Sequence, residues 1–143
     1  MVDEIVLKDK YKFLKEPYKY TVTHEWVLEE ENGVWLYGVT NYAAVELGEL
    51  AYVELPAVGD TFSTQDSMGI IEALKTVSDF YAPFDCEVVE VHSELEDDAS
   101  AITDDCYGEG WILKVKPTAG TEVLITAEQY AAQVEKEIEE GSH

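Results

Sequence analysis

Clusters of turn residues divide the chain into stretches rich in β-branched, aromatic and other apolar residues, which is the pattern of a β protein. Glu31-Asn32-Gly33 and Val58-Gly59-Asp60 are two of these turn signals. The pattern therefore predicts a mainly β domain. Its expected strands lie near residues 20–29, 34–40, 50–55, 61–72, 78–84, 86–92 and 111–116.

Two segments carry helical signals instead. A short helix is expected from Asn41 to Leu47, with Thr40 or Asn41 as its N-cap and a glycine directly after its last residue. Near the C-terminus, Thr126-Ala127-Glu128-Gln129 forms a capping box, and apolar residues then recur at helical spacing. These signals predict an amphipathic helix over residues 127–139.

The length and composition of the chain fit one folded domain. With 143 residues, 46% of them hydrophobic, the chain is able to bury one good core. We expect residues 20–140 to form this domain. Residues 1–19 are expected to be an N-terminal extension, helical in form, and residues 141–143 are set apart as the remnant of an expression tag.

Charge is unevenly distributed between these parts. Residues 1–19 hold five lysines and four acidic residues, a net charge of +1, so the overall charge of −22 leaves −23 on residues 20–143. Binding of nucleic acid or of an anionic membrane depends on Lys and Arg, so neither partner is expected. The acids are spread along the whole chain, which favours a salt-rich cytoplasm over steering toward basic partner surfaces, although both remain open.

The sequence shows no sign of a membrane segment or of a targeting sequence. No apolar run is long enough to cross a bilayer. The first ten residues interrupt their apolar positions with charges, unlike a signal peptide, and the chain lacks the arginines of an organellar transit peptide. We therefore expect a cytoplasmic prokaryotic protein.

One lysine stands alone in the acidic part of the chain. Between residues 20 and 113 there are 21 Asp and Glu residues, no arginine and a single lysine, Lys75. The residues on either side of Lys75 have strand character, so it is expected at the apex of a tight β-hairpin. An amine at such an apex is accessible to a partner, and the plain alternative is a lysine that only solvates a turn.

The usual signatures of catalytic and metal sites are missing from the sequence. The three histidines form no spaced ligand set, and Cys86 and Cys106 lie twenty residues apart without a CxxC motif, so no zinc site is expected. A GxG in residues 107–113 lacks the third glycine and the following helix of a dinucleotide-binding motif. We expect the protein to be a substrate for enzymes and not an enzyme itself.

Seven sequence blocks, taken together and in order, resemble the lipoate-bearing H protein of the glycine cleavage system. They cover most of the chain from about residue 20 to the C-terminal helix. The blocks are 23–27 (THEWV), 38–43 (GVTNYA), 47–56 (LGELAYVELP), 58–60 (VGD), 72–79 (EALKTVSD), 81–83 (YAP) and 107–111 (YGEGW). The resemblance implies the barrel-sandwich hybrid fold of lipoyl and biotinyl domains, with a short internal helix and a C-terminal helix.

The resemblance also implies roles for single residues. Lys75 is expected to carry lipoate in amide linkage, and Glu72, three residues earlier, is expected to help the attaching enzyme recognise the hairpin. The segment around His24 is expected near the resting cleft of the lipoyl arm, which makes His24 a candidate contact of the cofactor. A histidine that is merely hydrogen-bonded on a strand is the alternative.

A lipoyl arm would give the protein a tethered pair of sulfur atoms, which supply the chemistry. A tether raises the effective concentration of a reactive group at successive partner sites. The carboxylates around Lys75 favour its protonated, poorly nucleophilic form, so attachment needs an activated donor and a dedicated enzyme, a lipoate-protein ligase or a lipoyl transferase. The resemblance adds dihydrolipoyl dehydrogenase as a further partner.

The sequence departs from the family pattern at several positions. Cys86 replaces a glycine and Cys106 a proline, both in segments expected to be turns, while His92 and Thr103 replace asparagines. We expect the cysteines to be more exposed than usual, and we name them as candidate redox residues, able to pair or to exchange with the dithiolane. Burial as small hydrophobic side chains is the alternative.

With these departures, the chain resembles a second branch of the family, the lipoate-binding proteins that serve heterodisulfide-reductase-like sulfur oxidation. We favour that pathway, with a heterodisulfide-reductase-like complex as the partner. The direct alternative is the aminomethyl carrier of the glycine cleavage system, which serves the glycine cleavage enzymes. A biotin carrier is less consistent, because such domains set methionines beside the lysine where this chain has Leu74 and Thr76. An unmodified paralogue also remains open.

Overall fold

The fold consists of two β-sheets, a separate β-hairpin and three α-helices, and the structure, a computed structural model, describes residues 2–141. The strands are β1 (Glu4–Leu7), β2 (Tyr11–Leu14), β3 (Lys19–Tyr20), β4 (Glu25–Glu29), β5 (Trp35–Val39), β6 (Leu50–Glu54), β7 (Thr61–Phe62), β8 (Ser67–Ala73), β9 (Val77–Tyr81), β10 (Asp85–Val91) and β11 (Leu113–Ala119). The helices are α1 (Asn41–Leu47), α2 (Ser100–Asp104) and α3 (Ala127–Gly141).

The two sheets face each other across the main core. The six-stranded sheet has the order β3-β4-β5-β11-β10-β7, and the three-stranded sheet has the order β6-β8-β9. All of their strand pairs are antiparallel. Val27 and Val88 of the larger sheet are buried in one cluster with Val53, Ile71 and Phe80 of the smaller sheet. The predicted mainly β, barrel-sandwich hybrid fold is confirmed.

Most of the predicted strands are present, but turns divide two of them. The stretch 20–29 contains the last residue of β3 and all of β4, and His24 in the turn between them has a φ of 76°. The stretch 61–72 contains β7 and most of β8, and Gln65 between them has a φ of 68°. A positive φ leaves the extended conformation, so it interrupts a strand that composition alone would continue.

Residues 4–14 form a β-hairpin, so the expectation of a helical N-terminal extension is wrong. β1 and β2 pair with each other in antiparallel register. Lys8 and Asp9 turn the chain with φ of 58° and 52°, the left-handed conformations that a tight hairpin turn uses. Tyr11 and Phe13 alternate with an exposed lysine and are buried, which is the period of a strand.

A second, smaller core joins this hairpin to α3. Tyr11 and Phe13 are buried there with Tyr20, Trp26 and Tyr130. The Phe13 and Tyr130 rings meet edge to face, with centroids 5.0 Å apart, and Tyr130 stacks on Tyr20 at the same distance. The hairpin is therefore packed against the domain, and its separation from the domain at residue 19 stays a prediction.

Both predicted helices are present with their caps. The N-cap of α1 is Thr40, whose Oγ1 accepts a hydrogen bond from the N–H of Ala43 at 3.2 Å. Before α3, Thr126 and Gln129 exchange hydrogen bonds of 2.9 and 3.1 Å, as in a capping box. The last helical residue is Gly141, and the other two residues of the proposed tag remnant, 142–143, lie outside the described residues. None of the helices in residues 2–141 is long and apolar enough to cross a membrane.

Candidate functional site

Lys75 lies at the apex of the β8–β9 hairpin. Glu72 and Val77 form the last residue pair of the ladder, and beyond it the N–H of Ala73 donates to the carbonyl of Thr76 at 2.8 Å. Lys75 is exposed, and its ammonium group makes no salt bridge within residues 2–141. The amine is therefore open to solvent and to a partner protein.

The backbone ties this apex to the rest of the domain. The N–H of Leu74 donates to the carbonyl of Glu49, in the connection between α1 and β6, at 3.1 Å. β8 is also the central strand of its sheet, between β6 and β9. Glu72 is exposed on β8, three residues before Lys75. The loop thus projects from a firm support, with one carboxylate next to its base.

A cleft of about 580 Å³ begins beside the apex. Thr76, the neighbour of Lys75, is part of its lining, together with Asp79 of β9, Tyr42 and Leu47 of α1, and His24. Apolar walls combined with a few polar groups are typical of a site for a small molecule or cofactor, and so is this volume. A group attached to Lys75 would therefore have a lined cavity within reach of its root.

Glu25 is a buried acid in the lining of this cleft. Its side chain is only 1% exposed. The carboxylate accepts hydrogen bonds from the hydroxyls of Thr21 and Thr23, both at 2.5 Å, and from the N–H of Tyr81 at 3.2 Å. Burial raises the pKa of Glu25 to about 7, although these hydrogen bonds oppose the rise. No cation in residues 2–141 forms an ion pair with it.

His24 lines the cleft and contacts α3 through both of its ring nitrogens. Its Nδ1 lies 2.7 Å from the hydroxyl of Tyr130, and its Nε2 lies 3.0 Å from Oε1 of Glu137. The Nε2 of Gln133 donates to the other carboxylate oxygen of Glu137 at 2.7 Å. The structure therefore supports the alternative of a hydrogen-bonded histidine. The role of His24 as a contact of the cofactor stays a prediction.

The hydrogen bonds of His24 continue to the start of α1. The Tyr130 hydroxyl also lies 2.7 Å from Oγ1 of Thr40, which already accepts from Ala43. All groups are satisfied when Thr40 donates to Tyr130, Tyr130 donates to Nδ1 of His24, and Nε2–H of His24 donates to Glu137. This continuous set of bonds joins two parts of the cleft wall to the C-terminal helix.

Neither cysteine occupies the exposed position that the sequence analysis expects, so that expectation is wrong. Cys86 is 1% and Cys106 6% exposed, and both are free thiols. Cys86 lies within β10, paired with Phe62, and faces the main core instead of standing in a turn. Burial raises the pKa of each thiol to about 12. The thiolate fraction needed for exchange with a dithiolane is therefore minute near neutral pH.

The two replaced asparagine positions lie away from the cleft. The ring of His92 stacks on Trp111, and its Nδ1 lies 2.6 Å from the carbonyl of Trp111. The hydroxyl of Thr103 donates to the carbonyl of Ser100 at 3.1 Å. Neither His92 nor Thr103 belongs to the lining of the cleft. Their identities consequently do not alter its chemistry directly.

Sequence reasoning missed or undervalued three polar residues of the site. Glu25 sits in the strand-like sequence Glu-Trp-Val, and an acid directly before two core residues is the signal that marks it. Tyr130 and Glu137 lie on α3, more than a hundred residues from the His24 that they contact. A single sequence carries no signal for contacts of that separation.

Two facing sheets, a lysine on an exposed hairpin apex and a cleft beside it define a carrier domain of the lipoyl and biotinyl class. The family model described as "Glycine cleavage H-protein" matches residues 18–137 of the chain. The chain belongs to the glycine cleavage H-protein family. Residues 2–17, which include the N-terminal hairpin, lie outside the matched range.

Similar proteins bear the same description. The glycine cleavage system H protein of a Psychrobacter species is 43% identical over 118 residues, which are 81% of this chain and 94% of that protein. The glycine cleavage system H protein of Shewanella oneidensis is 42% identical over 121 residues, covering 83% and 94%. The crystal structure of a glycine cleavage system H protein from Mycobacterium marinum has a TM-score of 0.76 and 41% identity, covering 82% of this chain and 96% of that one.

These relatives support the glycine cleavage pathway, which the sequence analysis gives as the alternative, and not the sulfur oxidation pathway that it prefers. The family model and the similar proteins carry the description of the glycine cleavage system. None of these three matches supports the branch that serves sulfur oxidation. An H protein is a carrier and not a catalyst, which agrees with the expectation that the chain is a substrate for enzymes.

Proposed function

We propose that the protein is the aminomethyl carrier of a glycine cleavage system, with lipoate attached to Lys75. The observation that carries the proposal is the position of Lys75, exposed on a supported hairpin apex at the border of a cleft that contains a buried acid. Membership of the H-protein family and the names of the similar proteins support the same reading. Bound lipoate would supply a pair of sulfur atoms able to hold the cargo.

The cleft has the properties needed to shelter such an arm. Val22 and Val77 are 47% and 57% exposed, although they line the cleft. An aliphatic arm lying in the cleft against them would remove this apolar surface from water, which is favourable. The arm would rest in the cleft between visits to partners, and its cargo would be less accessible to water there.

The charge of the cleft favours an amine as cargo. An aminomethyl group is a cation when protonated, and the carboxylates of Glu25 and Asp79 line the same cleft. Glu25 is buried with three hydrogen-bond donors but without a cation, so an ammonium group would supply its missing counter-charge. A sulfur cargo carries no positive charge and gains nothing from a buried acid. This difference is our physical reason for preferring the glycine cleavage pathway.

The proposal assigns partners by chemistry. A lipoate-protein ligase or lipoyl transferase would acylate Lys75, with Glu72 as part of the recognised surface. The glycine cleavage enzymes would load and unload the arm, and dihydrolipoyl dehydrogenase would reoxidise it. Redox roles for Cys86 and Cys106 are not included, because both thiols are buried and protonated. A cytoplasmic location is part of the proposal.

Transfer of the aminomethyl group tests the proposal. The lipoylated full-length protein is incubated with glycine and a bacterial glycine decarboxylase, and the mass of the intact chain is measured. Decarboxylation of glycine supplies the electrons that open the lipoyl disulfide, so that one sulfur takes the aminomethyl group and the other becomes a thiol. We expect the lipoylated protein to gain the mass of one aminomethyl group plus one hydrogen, and Lys75→Arg to gain none. A lipoylated chain that takes up no aminomethyl group, but accepts sulfur from a heterodisulfide-reductase-like system, would overturn the proposal in favour of the sulfur pathway.

A further inference from the structure

Three large apolar side chains on the Lys75 hairpin and on the strand beside it remain exposed. Leu74 is 67% exposed, Val77 57% and Tyr52 42%. Single exposed apolar residues are common on proteins and need no explanation. Here Leu74 and Val77 lie within two residues of the lysine that a partner enzyme has to reach, and Tyr52 lies on the strand paired with the same hairpin. Such a grouping indicates an interaction surface.

The strand register places these residues in a row across the three-stranded sheet. Tyr52 of β6 is paired with Glu72 of β8, and Glu72 is paired with Val77 of β9. Directly paired residues project from the same side of a sheet, about 5 Å apart. We call Tyr52, Glu72, Val77 and the adjacent Leu74 the apex face.

Tyr52 and Glu72 of the apex face point away from the core of the domain, and Val77 also belongs to the lining of the cleft. Val53 and Ile71, the next residues after Tyr52 and before Glu72, pair with each other and are buried in the main core. Because side chains alternate between the two sides of a strand, Tyr52 and Glu72 point outward. The Tyr52 hydroxyl has no hydrogen-bond partner in the described part of the chain. Little in the fold therefore requires an aromatic side chain at this position.

An enzyme that acylates Lys75 comes close to this face. The amine must enter the active site of the enzyme, and Val77 lies only two residues, or about 7 Å of strand, from Lys75. Tyr52 and Glu72 continue the same row. A complex that encloses the lysine therefore brings the surface of the enzyme against the apex face.

The charge around the row indicates the character of this enzyme surface. Glu72 forms no salt bridge within residues 2–141. Two further exposed acids, Glu54 and Asp79, lie two residues along the neighbouring strands from Tyr52 and Val77, and both are paired with Ile70 of β8. Lys75 is the only lysine between residues 20 and 113, and this range has no arginine. Complementarity therefore requires an apolar patch bordered by basic residues.

We propose that the lipoate-attaching enzyme recognises the apex face as a unit and that Tyr52, from a strand outside the hairpin, is its apolar anchor. The inference rests on the proposed attachment of lipoate to Lys75. It extends the recognised surface from the hairpin to the neighbouring strand β6. The enzyme would consequently distinguish Lys75 from the other lysines by a folded sheet surface and not by the hairpin sequence alone.

The test compares rates of attachment to full-length variants. A bacterial lipoate-protein ligase, lipoate and ATP are mixed with each protein. The initial rate of lipoyl mass gain, measured at several concentrations of the protein, gives kcat/KM. We expect Tyr52→Ala to lower kcat/KM about tenfold or more, as expected for an interface hot spot. Tyr52→Phe should restore the rate to within about twofold, because its ring is retained. Val123→Ala is the matched control, because Val123 is 49% exposed but does not belong to the apex face, and it should keep the full rate.

A binding measurement separates recognition from chemistry. In a Lys75→Arg background, where no attachment occurs, Tyr52→Ala should weaken binding of the ligase by a similar factor, and Glu72→Gln should reduce the salt dependence of binding. Equal rates and affinities for Tyr52→Ala and Val123→Ala would overturn this inference but leave the proposed function intact. Absence of any mass gain in the unaltered chain would overturn both.

Discussion

The hydroxyl of Tyr130 on the C-terminal helix lies 2.7 Å from Nδ1 of His24, which lines the cleft. The two residues are 106 positions apart in the chain. Tyr130 is fully buried between Phe13 of the N-terminal hairpin and Tyr20. The wall of the cleft is thus held from behind by a helix and a hairpin that do not contribute the attachment lysine.

Removal of this hydroxyl should destabilise the protein. Tyr130→Phe leaves Thr40, which is 0% exposed, without its side-chain partner, and it also removes a contact of His24. Loss of a partner from a buried polar group costs about 1–3 kcal/mol, so we expect a decrease of this size in the free energy of unfolding. Urea unfolding measures it. The control Tyr52→Phe removes an exposed, unbonded hydroxyl and should change stability by less than about 0.5 kcal/mol; equal effects of the two substitutions would contradict the assignment.

The buried carboxyl of Glu25 should make stability depend on pH. Its pKa is about 7 in the folded protein, compared with an ordinary value of 4.5. Between these values the folded state retains a proton that the unfolded state has lost, so stability falls as the pH rises through this window. Across the whole window, the free energy of unfolding should fall by about 3 kcal/mol through this one carboxyl.

Glu25→Gln removes this proton equilibrium and isolates its contribution. The unaltered protein should lose stability relative to the variant as the pH rises from 4.5 to above 7. The unfolding free energy of the variant minus that of the unaltered protein should therefore increase over this range. Denaturant unfolding at several pH values measures the difference, and the other acids cancel because both proteins share them. A difference that stays constant with pH would show that Glu25 titrates normally.

The N-terminal hairpin should contribute strongly to stability through Phe13. This residue is 0% exposed and packs against Tyr130. Phe13→Ala should lower the free energy of unfolding by about 3–5 kcal/mol, because a large buried ring is lost and a cavity remains. Val6→Ala, at a 54% exposed position of the same hairpin, is the control and should be nearly neutral. Similar small losses for both variants would mean that the hairpin packs only loosely on the domain.

The two thiols should resist alkylation in the folded protein. Cys86 and Cys106 are buried, and burial raises the pKa of both thiols to about 12, so the reactive thiolate is scarce. We expect iodoacetamide to modify neither residue at neutral pH and both residues after unfolding in urea. Peptide mass spectrometry locates the modification. Rapid alkylation of the native chain at either cysteine would restore the redox hypothesis.

Much of this fold is predictable from local sequence. The bounds of α1 follow from a threonine cap and a glycine stop, and the lysine apex follows from strand residues on both sides of a short loop. These features are determined by residues within a few positions of each other. For the same reason the capping box before α3 identifies the start of that helix.

Features that depend on distant contacts escaped prediction. The N-terminal hairpin turns at Lys8 and Asp9, two residues other than glycine in the left-handed conformation, and its lysines obscure the alternation of short strands. The burial of Cys86 depends on where β10 begins, because a shift of one residue would reverse the side that it faces. The environment of Glu25 depends on Tyr81, which is 56 residues away.

Attachment of lipoate to Lys75 is the central claim, and intact mass spectrometry tests it most directly. The full chain is treated with lipoate, ATP and a lipoate-protein ligase beside a Lys75→Arg control, whose melting temperature should be unchanged because the side chain is exposed. We expect a gain of one lipoyl group, located at Lys75 by peptide fragmentation and missing from the control. No gain, or a gain at another of the lysines, would contradict it.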